Sequence, residues 1–320
     1  MSQQNMEEIP EPIVEDISAN KRIRLMAWAV IVIAVTFMIG LGSGYLKWGR
    51  DETAALAQEK ESAQIYKQIN PEDGYALPVS YGTLGSQLIE AGVIDYDAFQ
   101  KVMTASGDPI DNHETDILTK GSDEKIVITG ESAHFLLNFF WAVGLASRNS
   151  ILTEGPMVQN SGGQIERFAS TGGWTLATKP ITELYASMDL IPLTPEQQAR
   201  VEEVASAVYR PCCNNHTLFP DCNHGMAMLG LLELMASQNA SADEMFTAAK
   251  YVNAYWFPQQ TLEIAIYLKL NEGINFADFD ARIVVSDKFS SASGASMVHQ
   301  SLQSSGLLEQ TPSQGGSCAN

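Results

Sequence analysis

The sequence predicts a nearly all-α protein, in which a single N-terminal transmembrane helix is followed by a soluble domain of several helices. Three observations lead to this fold class. An uncharged apolar segment of 22 residues lies near the N-terminus, and segments with helix caps recur between residues 194 and 270. Only one short segment, IVIT within residues 117–129, has the composition of a β-strand.

The transmembrane prediction rests on residues 25–46, which read LMAWAVIVIAVTFMIGLGSGYL. A helix needs about 20 apolar residues to cross the hydrocarbon layer. Three basic residues precede the segment and two follow it, a bias that places the N-terminus in the cytoplasm. A cleavable signal peptide would have a shorter apolar core and a small-residue cleavage site. We therefore expect an uncleaved signal-anchor over residues 21–50, in a single-pass protein of the cell membrane.

The rest of the chain divides by composition. Residues 1–20 carry five acids and are expected to form a disordered cytoplasmic tail. Residues 51–74 are rich in helix formers and predict an exposed stalk helix. The extracytoplasmic part then comprises a helical and irregular region over 75–193, a helical Cys/His module over 194–305, and a flexible tail over 306–320.

Within 75–193 the sequence predicts short helices at Leu84–Ala91 and Tyr96–Met103, and then a central buried helix. That helix, Glu131–Ala146, is apolar around most of its circumference. Residues 150–190 contain three glycine-containing breaks and predict a long irregular connection.

The Cys/His module has clear helix signals. Thr194 before Pro195 is typical of a helix start, and Ser241 with Glu244 matches a capping box. Pro258 should separate the last two helices. The predicted segments are 195–208, 223–237, 242–256 and 260–270.

The net charge of −19 argues against nucleic acid and against an anionic bilayer surface as partners. The sequence contains no recognisable pairing of a nucleophile with a base, so it favours a non-enzymatic protein.

The candidate metal-ligating residues cluster in the segment RPCCNNHTLFPDCNHGMAM. Thiolate, imidazole and thioether groups form a soft ligand set, which favours Cu(I) and also suits zinc. The two adjacent cysteines reach in different directions from one loop, and either of the two histidines can supply the imidazole. The candidate ligands are Cys212, Cys213, His216, Cys222, His224, Met226 and Met228.

A disulfide is the main alternative for the same cysteines. Thiols outside the cytoplasm oxidise, and a bond from Cys212 or Cys213 to Cys222 would staple a helix–helix turn. Met226 and Met228 would then belong to the core. The spacing matches no established zinc pattern, and two adjacent cysteines exceed what a single staple needs.

The segment from Arg210 to Trp256 resembles two families of small bacterial helical modules. Its R-P-C-C-N-N and D-C-N-H-G-M-A-M motifs, with the helix that closes on V-N-A-Y-W, are similar in outline to the thiol domain of cytochrome c maturation proteins and to PCYCGC-motif lipoproteins. In this chain the first two cysteines are adjacent rather than separated by two residues. The resemblance implies a helical hairpin with the cysteines and His224 at its mouth, and a role in haem or metal-centre maturation.

The sequence thus predicts a membrane-anchored extracytoplasmic protein that binds a metal ion, copper before zinc, and buffers or delivers it. The receiving partner would be a membrane or extracytoplasmic metalloprotein. A disulfide-stapled scaffold without metal is the first alternative, and a thiol oxidoreductase is the second.

Overall fold

A computed structural model of the protein describes residues 60–308. The predicted tail over 1–20, the signal-anchor over 21–50 and Cys318 lie outside these residues. The chain divides into two units between residues 61 and 62, and the second unit is the one with a described fold. Its described residues are 61% helix and 8% strand, which confirms a mostly helical protein. Among residues 60–308, no helix combines the length and apolar character that a membrane crossing requires.

Two strands, β1 (Tyr75–Gly82) and β2 (Ser122–Ile128), pair antiparallel. The predicted IVIT strand corresponds to the end of β2, whereas the sequence analysis did not identify β1. Side chains alternate across a strand, so that Leu77 and Val79 in β1 point into the core. Pro78 lies between them on the exposed face and weakens the strand pattern in the sequence.

Most of the predicted helices are present with bounds close to those expected. The α-helical segments of the first half are α1 (60–69), α2 (Leu84–Ala91), α3 (Tyr96–Ala105), α4 (Asn112–Thr119), α5 (Ala133–Ala146), α6 (Ser150–Thr153), α7 (Pro156–Ser161), α8 (Ala169–Gly172) and α9 (Ile181–Leu184). The last four are only four to six residues long, so the predicted irregular connection is in fact a series of single turns.

The second half contains α10 (Pro195–Ala207), α11 (Asn223–Ser237), α12 (Ala242–Trp256), α13 (Pro258–Glu272), α14 (Ala281–Val284), α15 (Asp287–Ser290) and α16 (Ala292–Ser304). Both predicted caps are present. Thr194 and Gln197 form a capping box at α10, and Ser241 and Glu244 form another at α12. These caps satisfy backbone N–H groups that a helix start leaves free.

The fold is centred on α5 and α11, which pack against each other in the main hydrophobic core. Two glycines bring the helices unusually close. A Cβ atom on Gly230 would lie 2.5 Å from the Phe140 carbonyl oxygen, and one on Gly144 would lie 2.2 Å from the Met226 carbonyl oxygen. The core built around this pair includes residues from both 75–193 and 194–305.

Gly230→Ala should therefore destabilise the protein by about 1–3 kcal/mol, the usual cost of overpacking a core. The intrinsic helix preference of alanine works in the opposite direction by up to about 1 kcal/mol. Urea unfolding measures the difference, and Gly130→Ala is a matched control because a Cβ atom there meets no atom within 4 Å. Equal unfolding midpoints for the two variants would contradict the backbone contact.

A second, smaller core joins α1 to α13 and α16. Ile65 and Ile69 of α1 are buried in it together with Leu268 and Val298. The sequence predicts an exposed stalk at residues 51–74. The described end of that segment instead packs with the C-terminal helices, because its sparse apolar residues fall four apart on one helix face.

α11 also carries a charged residue into the main core. Glu233 is fully buried, and neither of its carboxyl oxygens has a hydrogen-bond partner among the described residues. Burial raises the pKa of Glu233 to about 8, against a smaller opposing effect of Ser147 and Asn149. Because a buried carboxylate without partners is costly, the folded protein holds Glu233 in its neutral form at neutral pH.

This burial predicts a pH dependence of stability. The folded state retains a proton that the unfolded chain releases near its ordinary pKa, so Glu233 makes the free energy of unfolding fall as pH rises toward 8. The slope is at most about 1.4 kcal/mol per pH unit. Glu233→Gln should remove this contribution in urea unfolding between pH 5 and pH 8, while Glu90→Gln at an exposed site should not. Parallel pH profiles for wild type and Glu233→Gln would disprove the assignment.

Candidate metal centre

The candidate site lies in the loop of residues 208–222, which connects α10 to α11. Backbone hydrogen bonds hold this loop in place. Thr217 N donates to Val208 O at 2.8 Å, and Ala292 N at the start of α16 donates to Cys213 O at 2.8 Å. The cysteines therefore lie on a loop that is tied to the surrounding helices.

Arg210 is the centre of the loop, with only 2% of its surface exposed. Its guanidinium donates to Asn215 O at 2.8 Å, to Phe219 O at 3.1 Å and to Asp221 Oδ1 at 2.6 Å. The Nε atom donates to Cys222 Sγ at 3.0 Å. The planar fork of donors suits this task, and the buried positive charge is balanced by a carboxylate and a sulfur.

Gly225, in the first turn of α11, leaves room for this guanidinium. A Cβ atom at Gly225 would lie 2.5 Å from Arg210 Cζ. The glycine that follows His224 in the C-N-H-G text is therefore explained by the close approach of the Arg210 side chain.

Cys222 is the N-cap residue of α11, and its sulfur accepts a hydrogen bond from Gly225 N at 3.4 Å. The N-terminus of a 15-residue helix carries partial positive charge that favours an anion. Arg210 adds a full positive charge on the other side of the sulfur. Both effects favour the thiolate form of Cys222.

The three cysteines differ in their protonation. The pKa of Cys222 lies well below its usual range, because contacts with Cys212 and Cys213, together with Arg210 and His224, outweigh burial. Contacts with Cys213 and Cys222, and then burial, raise the pKa of Cys212. For Cys213 the contact with Cys212 lowers the pKa, but the contact with Cys222 and burial raise it further. Of the three, Cys222 is thus the cysteine whose thiolate form the site favours most.

The sulfurs are close but not bonded. Cys212 Sγ lies 3.6 Å from Cys222 Sγ, whereas a disulfide bond measures about 2.05 Å. None of Cys212, Cys213 and Cys222 is part of a disulfide. The three sulfurs that the sequence predicts as ligands are therefore brought to one place and remain available.

Two groups of ligand atoms within residues 60–308 are close enough to hold a metal ion. The atoms of Cys212, Cys222 and His224 lie within 4.8 Å of one another, and so do those of Cys213, Asp221 and Cys222. Cys222 belongs to both groups. We call the first the histidine set and the second the aspartate set.

His224 supplies the imidazole of the histidine set. Its ring packs on Phe257, with 4.5 Å between centroids, and on the edge of Trp256. The Nδ1 atom is buried and has no hydrogen-bond partner among the described residues. A buried polar atom without a partner is unfavourable, and no described hydrogen bond through Nδ1 holds the imidazole back from a cation.

The other predicted ligands lie outside these two groups. His216 packs edge-to-face on Tyr209 and its buried Nδ1 also lacks a described partner. Burial and then the Arg210 charge lower the pKa of His216. Met226 and Met228 are fully buried in the main hydrophobic core, where the alternative interpretation of the sequence places them.

The remaining histidines each pair with a carboxylate at 3.0 Å: His113 with Glu124, His134 with Asp108, and His299 with Glu263. Each of the three therefore has a local structural partner away from the loop.

Sequence reasoning missed Arg210 and Asp221 as parts of the site. Both are present in the R-P-C-C and D-C text, but a buried ion pair has no local sequence signature. The available signal was their position, since Arg210 lies two residues before Cys212 and Asp221 lies directly before Cys222.

Comparison of the chain with protein-family models, with curated proteins and with solved structures gives no match.

Proposed function

We propose that the protein is a membrane-anchored extracytoplasmic metal-binding protein that holds a soft ion, Cu(I) before zinc, and buffers or delivers it. The observation that carries the proposal is the histidine set. Two sulfurs and an imidazole converge there, and a buried Nδ1 atom of His224 has no described hydrogen-bond partner. The anchor over residues 25–46 is part of the proposal and comes from the sequence alone.

The spacing of the sulfurs supports preorganisation for a metal ion. Two thiolates bound at about 2.3 Å in tetrahedral geometry lie about 3.8 Å apart. In the structure, Cys212 Sγ and Cys222 Sγ are 3.6 Å apart. Little rearrangement of the loop is then needed to complete two metal–sulfur bonds.

The number of ligands favours Cu(I) over zinc. The histidine set offers three protein ligands, whereas structural zinc sites use four. Cu(I) accepts two or three soft ligands. Binding releases the Cys212 proton, so affinity should weaken as pH falls.

The test is to purify the full-length chain from its membrane without oxygen, and to measure metal by inductively coupled plasma mass spectrometry. One copper per chain is expected. Alkylation followed by mass spectrometry should then find Cys212, Cys213 and Cys222 reduced after the copper is removed. Metal-free protein with a Cys212–Cys222 disulfide would exclude the proposal.

Thiol–disulfide exchange is the second candidate function, and a specific observation favours it. A low-pKa cysteine at a helix N-terminus is typical of reactive thiols, and a second thiol lies 3.6 Å away. The same oxygen-free purification separates the two candidates. An exchange protein would carry no metal, and dithiol reagents would interconvert its reduced and disulfide forms.

A further inference from the structure

We infer that the aspartate set is an entry site, and that Cys213 captures the ion and passes it to the histidine set through the shared Cys222. This inference rests on the proposed function, and it assigns different roles to the two adjacent cysteines. Cys212 is a ligand of the resting site, whereas Cys213 acts only during loading and release.

The two ligand sets overlap at Cys222. Each set contains one of the adjacent cysteines, and the Cys222 sulfur belongs to both. An ion that moves from one set to the other can therefore keep one sulfur bond throughout. Cys212 Sγ lies 3.6 Å from Cys222 Sγ, whereas the Cys213 thiol makes only long hydrogen-bond contacts of 3.9 and 4.0 Å, so the Cys213 sulfur is the freer of the two to engage an incoming ion.

The hydrogen-bond partners of Asp221 make the aspartate set bind a cation more weakly than the histidine set does. Asp221 Oδ1 is paired with Arg210 Nη2 at 2.6 Å, and Oδ2 accepts a hydrogen bond from Asn215 Nδ2 at 2.8 Å. Both oxygens are therefore already engaged. A cation in this set gains little from Asp221, because binding it would cost the contacts with Arg210 and Asn215, so the cation does not stay.

The histidine set has the opposite character. His224 Nδ1 is buried without a described hydrogen-bond partner, and its ring packs against Phe257. Asp221, by contrast, has both oxygens engaged, so the imidazole is the freer ligand. The ion is consequently drawn from the aspartate set toward the histidine set.

The transfer is a sequence of ligand exchanges, and copper stays Cu(I) throughout. Cu(I) arrives on a small thiol compound, and a Cu–S bond to Cys213 forms as a bond to the donor sulfur breaks. The Cys213 proton goes to the departing thiolate. The Cys222 thiolate binds next and displaces the donor's remaining sulfur, which takes a proton from solvent. Finally a Cu–S bond to Cys212 and a Cu–N bond to the neutral His224 imidazole form, the bond to Cys213 breaks, and the Cys212 proton passes to Cys213.

The experiment uses the full-length chain in detergent without oxygen, with Cys318→Ser in every protein to remove the tail thiol. The probe is the Cu(I)–glutathione complex. Stopped-flow absorption of the sulfur-to-copper band follows loading, and competition with a Cu(I) chelator gives the dissociation constant. Cys213→Ala should load roughly tenfold more slowly while its dissociation constant changes by about threefold or less.

Cys212→Ser is the matched variant with the reverse result. Its initial capture should proceed at the wild-type rate, and its dissociation constant should rise by roughly a hundredfold. Replacement of Cys213 should leave the loop folded, since its thiol's hydrogen bonds to Asn215 and Asp221 are long, at 3.9 and 4.0 Å, and the anchoring bond uses its carbonyl oxygen.

Two results would overturn the inference while the proposed function stands. A loss of equilibrium affinity in Cys213→Ala as large as in Cys212→Ser would make Cys213 a resting ligand. Unchanged loading in Cys213→Ala would make it a bystander. Failure of the wild-type chain to bind Cu(I) at all would instead reject the proposed function and the inference together.

Discussion

Full-length Cys222→Ser is expected to keep its helices and to lose Cu(I) binding. Serine is a favoured N-cap residue, so its hydroxyl can replace the sulfur at the start of α11. The thiolate shared by both ligand sets is lost. Replacing a residue that only supports a metal ligand weakens metal affinity by roughly 10- to 100-fold. Because Cys222 is itself a proposed ligand, its replacement should raise the dissociation constant for Cu(I) by more than that.

Circular dichroism and Cu(I) competition measured on the same samples check this expectation. A disulfide staple would produce a different outcome. Its loss would lower the free energy of unfolding by about 2–4 kcal/mol, less for so short a loop, and no metal would be bound before or after the change. Unchanged Cu(I) affinity in Cys222→Ser would remove Cys222 from the site.

Arg210→Met is expected to have the largest effect on stability, a loss of about 3–5 kcal/mol. Removing one partner of a buried ion pair leaves the other charge uncompensated. Asp221 and the Cys222 thiolate would both lose their cation, and the carbonyl groups of Asn215 and Phe219 would lose a donor. Urea unfolding of the metal-free protein measures the loss.

Arg148→Met is the matched control. Arg148 pairs with Asp189 at 3.2 Å, but 56% of its side chain is exposed. Exposed ion pairs contribute about 1 kcal/mol or less, so this variant should unfold close to wild type. Similar losses in both variants would show that burial of Arg210 does not organise the loop.

The local sequence predicted much of the helical framework because its signals are local. Thr194 and Ser241 begin helices through side-chain contacts within three residues, and the apolar character of Glu131–Ala146 predicts burial without knowledge of the partner. β1 escaped prediction because a strand is stabilised by a partner far away in sequence, here β2.

The sequence by itself identified the candidate ligands, since three of the four cysteines and His224 are concentrated in a segment of thirteen residues, 212–224. Only the tertiary structure decided how these residues divide between two ligand sets. It placed Cys212 and Cys213 in different ligand sets around Cys222, put the methionines in the core, and brought Arg210 and Asp221 into the site. The physical reason is that side-chain direction and buried charge pairing depend on contacts of the whole loop, for which residue spacing carries no information.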